Sequence, residues 1–305
     1  MMNASSPRSA PTDALPTGFL FSQSNLQDYM DCRRRFLLRY LLNVTWPGLE
    51  SEPALESERF MRLGERFHRL AQQYFIGAPQ EALESSIRED ELLQWWRHFA
   101  RFANGLRQNE FIAPEFTVSA PLEGHRLLAK FDLVLMDEEG KFIIYDWKTA
   151  RRRPRRERLM ERMQTHVYPY LLARCGAGSH HSGAIPPESI ELIYWFPSFP
   201  DQPERIAYSV ARFEADHALL TNIIREIKQA ARSLMGAQLG SLRAEEIFNS
   251  AFPKTTQNER CAYCVYRSLC DRGERAGDFD AEAAESETED FEVHIDFEQV
   301  AEIAF

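Results

Sequence analysis

The segment Lys141-Phe-Ile-Ile-Tyr-Asp-Trp-Lys148 is the part of this 305-residue chain that decides its fold class. Its apolar and aromatic residues are typical of a buried strand, and the strand ends in the triplet Asp146-Trp147-Lys148. Because successive side chains of a strand point to opposite faces, Asp146 and Lys148 share one face. The turn-forming residues 137–140 precede the segment, and they predict a hairpin with the strand before it.

Patterns on either side of this segment predict an α/β fold. The predicted strands are 115–122, 126–136, 141–147, 189–196 and 205–210. The predicted helices are one that begins at a Ser24–Gln27 capping box and ends before Pro47, then 57–75, much of 80–107, one after Pro154, and 213–234. This order predicts one α/β domain with a helical elaboration at its N-terminus.

A second acidic residue, Asp132, interrupts the apolar strand that precedes the hairpin turn. It stands between Phe131 and Leu133, and a carboxylate in such surroundings needs an ion pair, hydrogen bonds or a metal ion. Pairing across the turn would place Asp132 near Asp146. Two carboxylates beside one lysine suit a hard cation such as Mg²⁺ or Mn²⁺. The alternative is that Lys148 only neutralises Asp146 at the end of the strand.

Two helical motifs flank the acidic strands in the sequence. Gly64 and His68 share a helical face, and a glycine inside a helix costs about 1 kcal/mol relative to alanine, which indicates a close approach of another group. His68 is a candidate metal ligand or a structural histidine. Gln164 and Tyr168 share a face of the helix after Lys148, as site residues or as the polar edge of a core stripe.

The chain has five cysteines, at positions 32, 175, 261, 264 and 270. An odd number in a chain that lacks a recognisable secretory signal argues against a disulfide framework. The cluster Cys261-x2-Cys264-x5-Cys270 suits Zn²⁺ or an iron–sulfur cluster. Three clustered cysteines with one remote partner, Cys32, are less typical of structural zinc. Cys175 is interpreted as a structural thiol.

Charge is unevenly distributed along the chain. The formal net charge is −10, but residues 277–305 contain eleven acidic residues and no Lys or Arg, so residues 1–276 are close to neutral. Within that part, residues 148–162 contain eight Lys and Arg. A basic cluster of this kind suits nucleic acid as a partner, and a solvated charged helix face is the alternative.

The acidic tail ends in a pattern with a period of two residues. Its apolar members alternate with acidic residues and one histidine, and they are Phe291, Val293, Ile295 and Phe297. An alternating segment can add as a strand to a sheet edge, so the tail is interpreted as a docking peptide for a protein partner. An autoinhibitory mimic of DNA and a passive solubilising end are the alternatives.

The order of these motifs resembles the RecB-type branch of the PD-(D/E)xK nucleases, over about residues 22–272. The motifs are Gly64-x-x-x-His68, Asp132, Asp146-x-Lys148 and Gln164-x-x-x-Tyr168. The resemblance implies a restriction-endonuclease-like mixed sheet flanked by helices. It differs from the family at Ala129, near which a glycine usually precedes the aspartate.

The resemblance also implies roles for these residues in a Mg²⁺- or Mn²⁺-dependent cleavage of DNA. His68, Asp132 and Asp146 would be metal ligands, and Lys148 would orient the attacking water or stabilise the developing charge. Gln164 and Tyr168 would lie beside the scissile strand. The arginines that would hold the DNA backbone are Arg151, Arg152, Arg153, Arg155 and Arg156.

The cysteine spacing is similar to that of iron–sulfur nucleases of the same branch, which include CRISPR-associated exonucleases and the AddB subunit. The resemblance implies a [4Fe–4S] cluster that ties the first helix to the end of the domain. Its ligands would be Cys32, Cys261, Cys264 and Cys270.

Composition sets the remaining expectations. Hydrophobic residues make up 44% and charged residues 27%, which excludes a wholly disordered chain. No apolar run approaches the roughly 20 residues of a membrane helix. Residues 1–18 lack the apolar core of a secretory signal and are expected to be a disordered leader of a cytoplasmic protein. Residues 19–276 are expected to form the nuclease domain and 277–305 the acidic tail.

The function expected from the resemblance is single-stranded DNA exonuclease activity in DNA repair or CRISPR adaptation. One competing interpretation is a non-catalytic iron–sulfur subunit that binds DNA or acts as an adaptor in a helicase–nuclease or adaptation complex. Another is a scaffold protein stabilised by zinc. Metal-dependent cleavage distinguishes the nuclease from the adaptor subunit, and the brown colour and absorbance of an iron–sulfur cluster distinguish it from the zinc-stabilised scaffold.

Overall fold

A mixed sheet of six strands forms the centre of the fold, and helices cover both of its faces. The computed structural model describes residues 14–46, 52–107, 109–178, 183–235 and 242–273. The strands are β1 (Leu20–Ser22), β2 (Phe111–Leu122), β3 (His125–Met136), β4 (Phe142–Trp147), β5 (Ile190–Trp195) and β6 (Glu204–Ala207). They are ordered β1-β3-β4-β5-β6, and β2 pairs with β3.

The sheet topology confirms the hairpin that the sequence predicts, and a third strand extends it to an antiparallel meander. β2 pairs with β3, and β3 pairs with β4, in antiparallel register. Glu123 and Gly124, with φ of 51° and 83°, form the two-residue turn between β2 and β3. β4 and β5 are parallel, so the chain must cross over between them, and two helices lie in that crossover. This arrangement confirms the predicted mixed α/β fold.

Nine α-helices are described. They are α1 (Gln23–Asp31), α2 (Arg33–Phe36), α3 (Glu52–Phe75), α4 (Gln80–Ser85), α5 (Asp90–Leu106), α6 (Arg156–Met160), α7 (Met163–Cys175), α8 (Val210–Ser233) and α9 (Leu242–Ser250). The single helix predicted over much of 80–107 is divided into α4 and α5. The last predicted strand is shorter than expected, because α8 begins at Val210.

The first predicted helix differs from expectation at its start and in its middle. Ser22, not Ser24, caps α1, and it forms a reciprocal capping box with Asn25. Cys32 then interrupts the helix with an extended backbone, at φ −160° and ψ 106°. The helical spacing continues on both sides of Cys32, which is why the sequence pattern does not reveal the break.

Two hydrophobic cores lie on the two faces of the sheet. α3 and α5 pack on one face through a cluster rich in aromatic residues, which includes Phe67, Trp96 and Trp195. α1, α7 and α8 pack on the other face, against Ile144 and its neighbours. Residues of β4 alternate between the two cores, as a doubly covered strand requires. Helices from both faces can therefore deliver side chains to the end of β4.

The ends of the chain fall largely outside the described ranges. Of the expected leader, Leu15 is buried in the core beside α1. The acidic tail and its alternating segment lie outside the described residues. In the part of the chain that the structure describes, no helix is both long enough and apolar enough to span a membrane.

The pairing of β5 with β6 includes a buried carboxylate that predicts a pH dependence of stability. Glu191 accepts hydrogen bonds from Arg205 Nε at 3.1 Å and Nη2 at 2.6 Å. Burial alone would raise the pKa of Glu191, but the bonds from Arg205 hold it below its ordinary value of 4.5. Because the pKa of Glu191 is lower in the folded than in the unfolded protein, its carboxylate stabilises the fold at pH values above the unfolded-state pKa. This stabilisation is lost as the pH falls through the folded-state pKa.

Replacing Glu191 with glutamine is therefore expected to lower the free energy of unfolding by about 1–2 kcal/mol near pH 7. The difference between the two proteins should shrink as the pH falls below about 4, where the parent carboxylate is protonated. Thermal melting across this pH range measures both values. Glu188→Gln, at an exposed neighbouring position, is the matched control. A difference that does not change with pH would contradict the ionic explanation.

Candidate active site

Asp132 and Asp146 come together where the pairing of β3 with β4 ends. The last residues in register are Leu133 and Tyr145, so Asp132 and Asp146 occupy the next position on the two strands. There the backbone N–H of Trp147 donates to Asp132 Oδ2 at 2.7 Å instead of to a β3 carbonyl. The end of the strand pair thus places two carboxylates side by side, as the hairpin predicts.

His68 reaches Asp132 from α3. Its Nδ1 lies 3.0 Å from Asp132 Oδ1, and Gly64 is buried one turn earlier in the helix. Burial alone would lower the pKa of His68, but the negative charge of Asp132 and the hydrogen bond between them raise it above its ordinary value. Burial would raise the pKa of Asp132, and the same pairing holds it below its ordinary value. The two side chains stabilise each other in their charged forms.

Asp146 is held from its own strand and from α7. Its side chain is 4% exposed, and Lys148 Nζ lies 3.1 Å from Oδ2. Gln164 Nε2 donates to Oδ1 at 2.5 Å. The alternative interpretation, in which Lys148 only neutralises Asp146, predicts a salt bridge between these two residues, and that salt bridge is present. Gln164 adds a contact that a simple salt bridge at a strand end does not need.

Tyr168 contacts the backbone beside Asp132. Its hydroxyl donates to the carbonyl of Lys130 at 2.7 Å and accepts from Gln23 Nε2 at 3.3 Å. Its ring packs edge-on against Phe131, with centroids 4.9 Å apart. Tyr168 therefore joins α7 to β3 at the level of the site.

Glu115 is a residue of this region that sequence reasoning missed. In the β2–β3 register it occupies the position opposite Asp132, and its side chain forms an ion pair with Lys130. Burial raises the pKa of Glu115, and the negative charge of Asp132 raises it further, although Lys130 opposes both. No motif marks a glutamate at the start of an apolar strand. Only the register of β2 brings it to the site.

The structure describes all five of the predicted DNA-binding arginines. Arg153 and Arg156 both form ion pairs with Glu204 on β6. Arg151, Arg152 and Arg155 are exposed on the loop before α6, and the guanidinium of Arg151 lies 5.0 Å from the ring centroid of Phe60. This loop follows directly from Lys148.

Four of the five cysteines lie in two segments of the chain that contact each other. Cys32 occupies the break between α1 and α2, while the other three follow α9 in the segment 258–272. Burial raises the pKa of Cys261 to about 11, and the charges of Cys264, Cys32 and Cys270 also act on it. Cys175 lies at the end of α7, apart from these four.

Hydrogen bonds and an ion pair join the segments that contain these four cysteines. Arg34 Nε donates to the carbonyl of Phe252 at 2.9 Å, and the hydroxyl of Tyr266 donates to that of Val44 at 3.0 Å. Arg260 also pairs with Asp31, which precedes Cys32. The two distant parts of the chain are thus already tied together around the thiols.

The side chains of both clusters fit metal ions by chemistry. Carboxylate oxygens and an imidazole suit Mg²⁺ or Mn²⁺, and four thiols suit an iron–sulfur cluster. Among the residues described, however, no three His, Cys, Asp or Glu side chains form a group arranged to hold an ion. His68 bonds to Asp132 and Lys148 bonds to Asp146 instead. An ion would have to replace part of these contacts.

Comparison with known proteins decides the family. Residues 20–271, from β1 to the cysteine segment, match the PD-(D/E)XK nuclease superfamily. This chain belongs to that superfamily. Membership indicates a metal-dependent nuclease with DNA as its substrate. All the PD-(D/E)XK motif residues described above lie inside the match.

Two solved structures similar to this PD-(D/E)XK nuclease complete the comparison. SSO0001 is 16% identical, with a TM-score of 0.38, and the alignment covers 84% of this chain and 86% of that one. A protein of Eubacterium rectale, provisionally named as an exonuclease, is 12% identical, with a TM-score of 0.39 and coverage of 70% and 82%. Among curated proteins, none matches the chain.

Replacing Gln164 with alanine is expected to reduce DNA cleavage about 10- to 100-fold, because Asp146 loses the α7 donor that holds Oδ1 in place. Initial rates on a labelled oligonucleotide measure the effect. The fold should be retained, because the substitution favours a helix. Gln27→Ala serves as the control. It removes a different hydrogen bond of a glutamine, in which Gln27 Oε1 accepts from the backbone N–H of Met163. Equal rates in Gln164→Ala and the parent would exclude a role for this contact.

Proposed function

We propose that this protein is a Mg²⁺- or Mn²⁺-dependent RecB-type nuclease that degrades single-stranded DNA from its ends. The observation that supports the proposal best is the meeting of Asp132 and Asp146 where the pairing of β3 with β4 ends, with His68, Lys148 and Gln164 in contact with them. Helices α3 and α7 and the residue that follows β4 deliver side chains to two neighbouring carboxylates. A structural salt bridge alone would not need this convergence.

Asp132, Asp146 and His68 would hold the divalent ion. When bound, the ion supplies charge neutralisation at the phosphate and activation of water. Lys148, whose ammonium lies 3.1 Å from Asp146 Oδ2, can orient the attacking water or stabilise the negative charge that develops on the phosphate. Gln164 orients Asp146, and Tyr168 fixes the β3 backbone next to Asp132.

The DNA backbone would pass along the loop before α6. Its exposed arginines, Arg151, Arg152 and Arg155, continue directly from Lys148 and can neutralise phosphates on either side of the reacting one. Arg153 and Arg156 would instead brace this loop against Glu204 on β6. These ion pairs would restrain the backbone of the loop that carries the three exposed arginines.

The four grouped cysteines would hold a [4Fe–4S] cluster with a mechanical role. Support comes from their mutual proximity and from the contacts that already join residues 31–46 to residues 252–272. The extended backbone at Cys32 separates its thiol from a regular helix. A cluster here would close a loop of more than 200 residues and stabilise the nuclease domain.

Cleavage of end-labelled DNA tests the proposal. The purified protein, with Mg²⁺ or Mn²⁺, is expected to release short products from linear single strands and to leave a circular single strand intact. Chelation by EDTA should stop the reaction. Cleavage of the circular strand would show that the activity is that of an endonuclease and not of an exonuclease. Binding of DNA without any metal-dependent cleavage would favour the non-catalytic adaptor and would refute the proposal.

The nuclease is proposed to act in DNA repair or CRISPR adaptation. Its acidic tail is proposed to dock a protein partner. Deleting residues 277–305 is expected to abolish co-purification of that partner and to leave cleavage by the isolated enzyme within about twofold of the parent. Autoinhibition predicts the opposite at low salt, namely tighter DNA binding and faster cleavage after deletion, with both effects fading as salt screens them. Cleavage rates and binding at two salt concentrations distinguish these outcomes.

A further inference from the structure

The backbone at Glu115 has an unusual conformation for its residue type. Its φ of 53° lies in the left-handed region, which glycine adopts freely and other residues rarely adopt. A glycine would relieve this strain. Strained backbone conformations can persist at functional sites. Glu115 differs from Glu123, which has a similar φ in the β2–β3 turn, because Glu115 lies opposite Asp132 in the strand register.

The side chain of Glu115 holds Lys130 beside the candidate site. The two form an ion pair in which the side chains are 16% and 23% exposed. Glu115 is opposite Asp132 in the strand register and within electrostatic reach of both Asp132 and His68. The carbonyl of Lys130 accepts the Tyr168 hydroxyl at 2.7 Å. Lys130 is therefore held at its backbone by α7 and at its ammonium group by β2.

We propose that Lys130 binds a phosphate of the DNA substrate and that Glu115 is its positioning residue. This inference rests on the proposed function, because the phosphate belongs to the strand that the site would cleave. A lysine ammonium is a point charge that binds phosphate well when its long side chain is held in place. The ion pair supplies that restraint at the edge of a site that already contains two carboxylates.

Binding of a fluorescent single-stranded oligonucleotide in EDTA tests this role without cleavage. Lys130→Met is expected to weaken binding about fivefold, with a shallower dependence on salt. Glu115→Gly should weaken binding by a similar factor, since Lys130 is no longer held. The double variant should bind no more weakly than either single variant, because both act through one ammonium group. Simple charge removal predicts the opposite sign for Glu115→Gly, since losing a negative charge attracts DNA.

Glu123→Gly is the matched control. Glu123 is also a glutamate with positive φ, at 51°, and it pairs with Arg225 at the far end of the same hairpin. Its substitution should leave DNA binding and cleavage unchanged. Glu115→Gly should melt within a few degrees of the parent and cleave about tenfold more slowly, and both losses should be partly restored in Glu115→Asp.

Two results would overturn the inference. One is binding by Glu115→Gly that equals or exceeds that of the parent, and the other is a loss of binding that follows a loss of thermal stability. Failure of the proposed function is a separate observation, because it shows as a parent protein that binds DNA in EDTA but never cleaves it when metal is added. In that case the binding measurements still decide the role of Glu115.

Discussion

Replacing Asp146 with asparagine is expected to reduce metal-dependent DNA cleavage at least about a thousandfold, while DNA binding persists. Asparagine has nearly the same shape and can still accept the Gln164 hydrogen bond, but it lacks the charge that a divalent ion and Lys148 require. Binding should persist because the exposed arginines before α6, not the carboxylates, would contact most of the phosphates. Initial cleavage rates and oligonucleotide binding measure the two effects.

Asp216→Asn is the matched control for this substitution. Taken as whole residues, Asp216 and Asp146 are both 3% exposed. Asp216 also has two side-chain partners, His166 Nδ1 at 2.7 Å and the Tyr208 hydroxyl at 2.9 Å. It lies on α8, and neither of these partners is a residue of the candidate site. Asp216→Asn is expected to alter stability and leave cleavage per folded molecule unchanged. Cleavage by Asp146→Asn at more than a tenth of the parent rate would refute the assignment of the site.

Replacing Cys32 with alanine is expected to remove iron from the purified protein and to lower its melting temperature by roughly 10 °C. Cluster binding is coupled to folding, and Cys32 is the ligand that would join the N-terminal helices to the segment 258–272. Cys261→Ala should have the same effect. Iron content, absorbance and thermal melting of anaerobically purified protein measure the change.

Cys175→Ala provides the control for the cysteine experiment. Cys175 lies at the end of α7, apart from the other four thiols, so its substitution should change neither iron content nor stability by more than a small amount. A full complement of iron in Cys32→Ala would contradict the proposed ligand set. Zinc in place of iron in the anaerobically purified parent would contradict the proposed cluster and favour a zinc-stabilised clasp.

The sequence predicted the parts of the candidate site that depend on local geometry. The strand period placed Asp146 and Lys148 on one face, and the short turn before β4 brought Asp132 next to Asp146. Helical spacing placed Gln164 and Tyr168 on one face of α7 as well. These relations involve residues within a single element or a hairpin, so the periodicity of the chain is enough to establish them.

Contacts between distant segments lay beyond the same reasoning. The break in the first helix at Cys32 interrupts a continuous helical pattern. Ser22, the last residue of β1, caps α1 instead of Ser24, because the Ser22 side chain accepts a hydrogen bond from the backbone N–H of Asn25. In the sequence, the arginine cluster has the pattern of one uniform basic surface. In the structure, Arg153 and Arg156 pair with Glu204, which lies 51 and 48 residues later in the chain. A charge run does not reveal which of its members have partners across the fold.

Residue period and short turns alone indicated an α/β domain, the hairpin of β3 with β4, and two carboxylates beside one lysine. Only the tertiary structure decided that His68 contacts Asp132, that Tyr168 supports the backbone of Lys130, and that Glu115 faces the site. The physical reason is that each of these contacts depends on how one element packs or pairs with another. Packing angles and strand register are set by the whole core, and no local pattern in the chain encodes them.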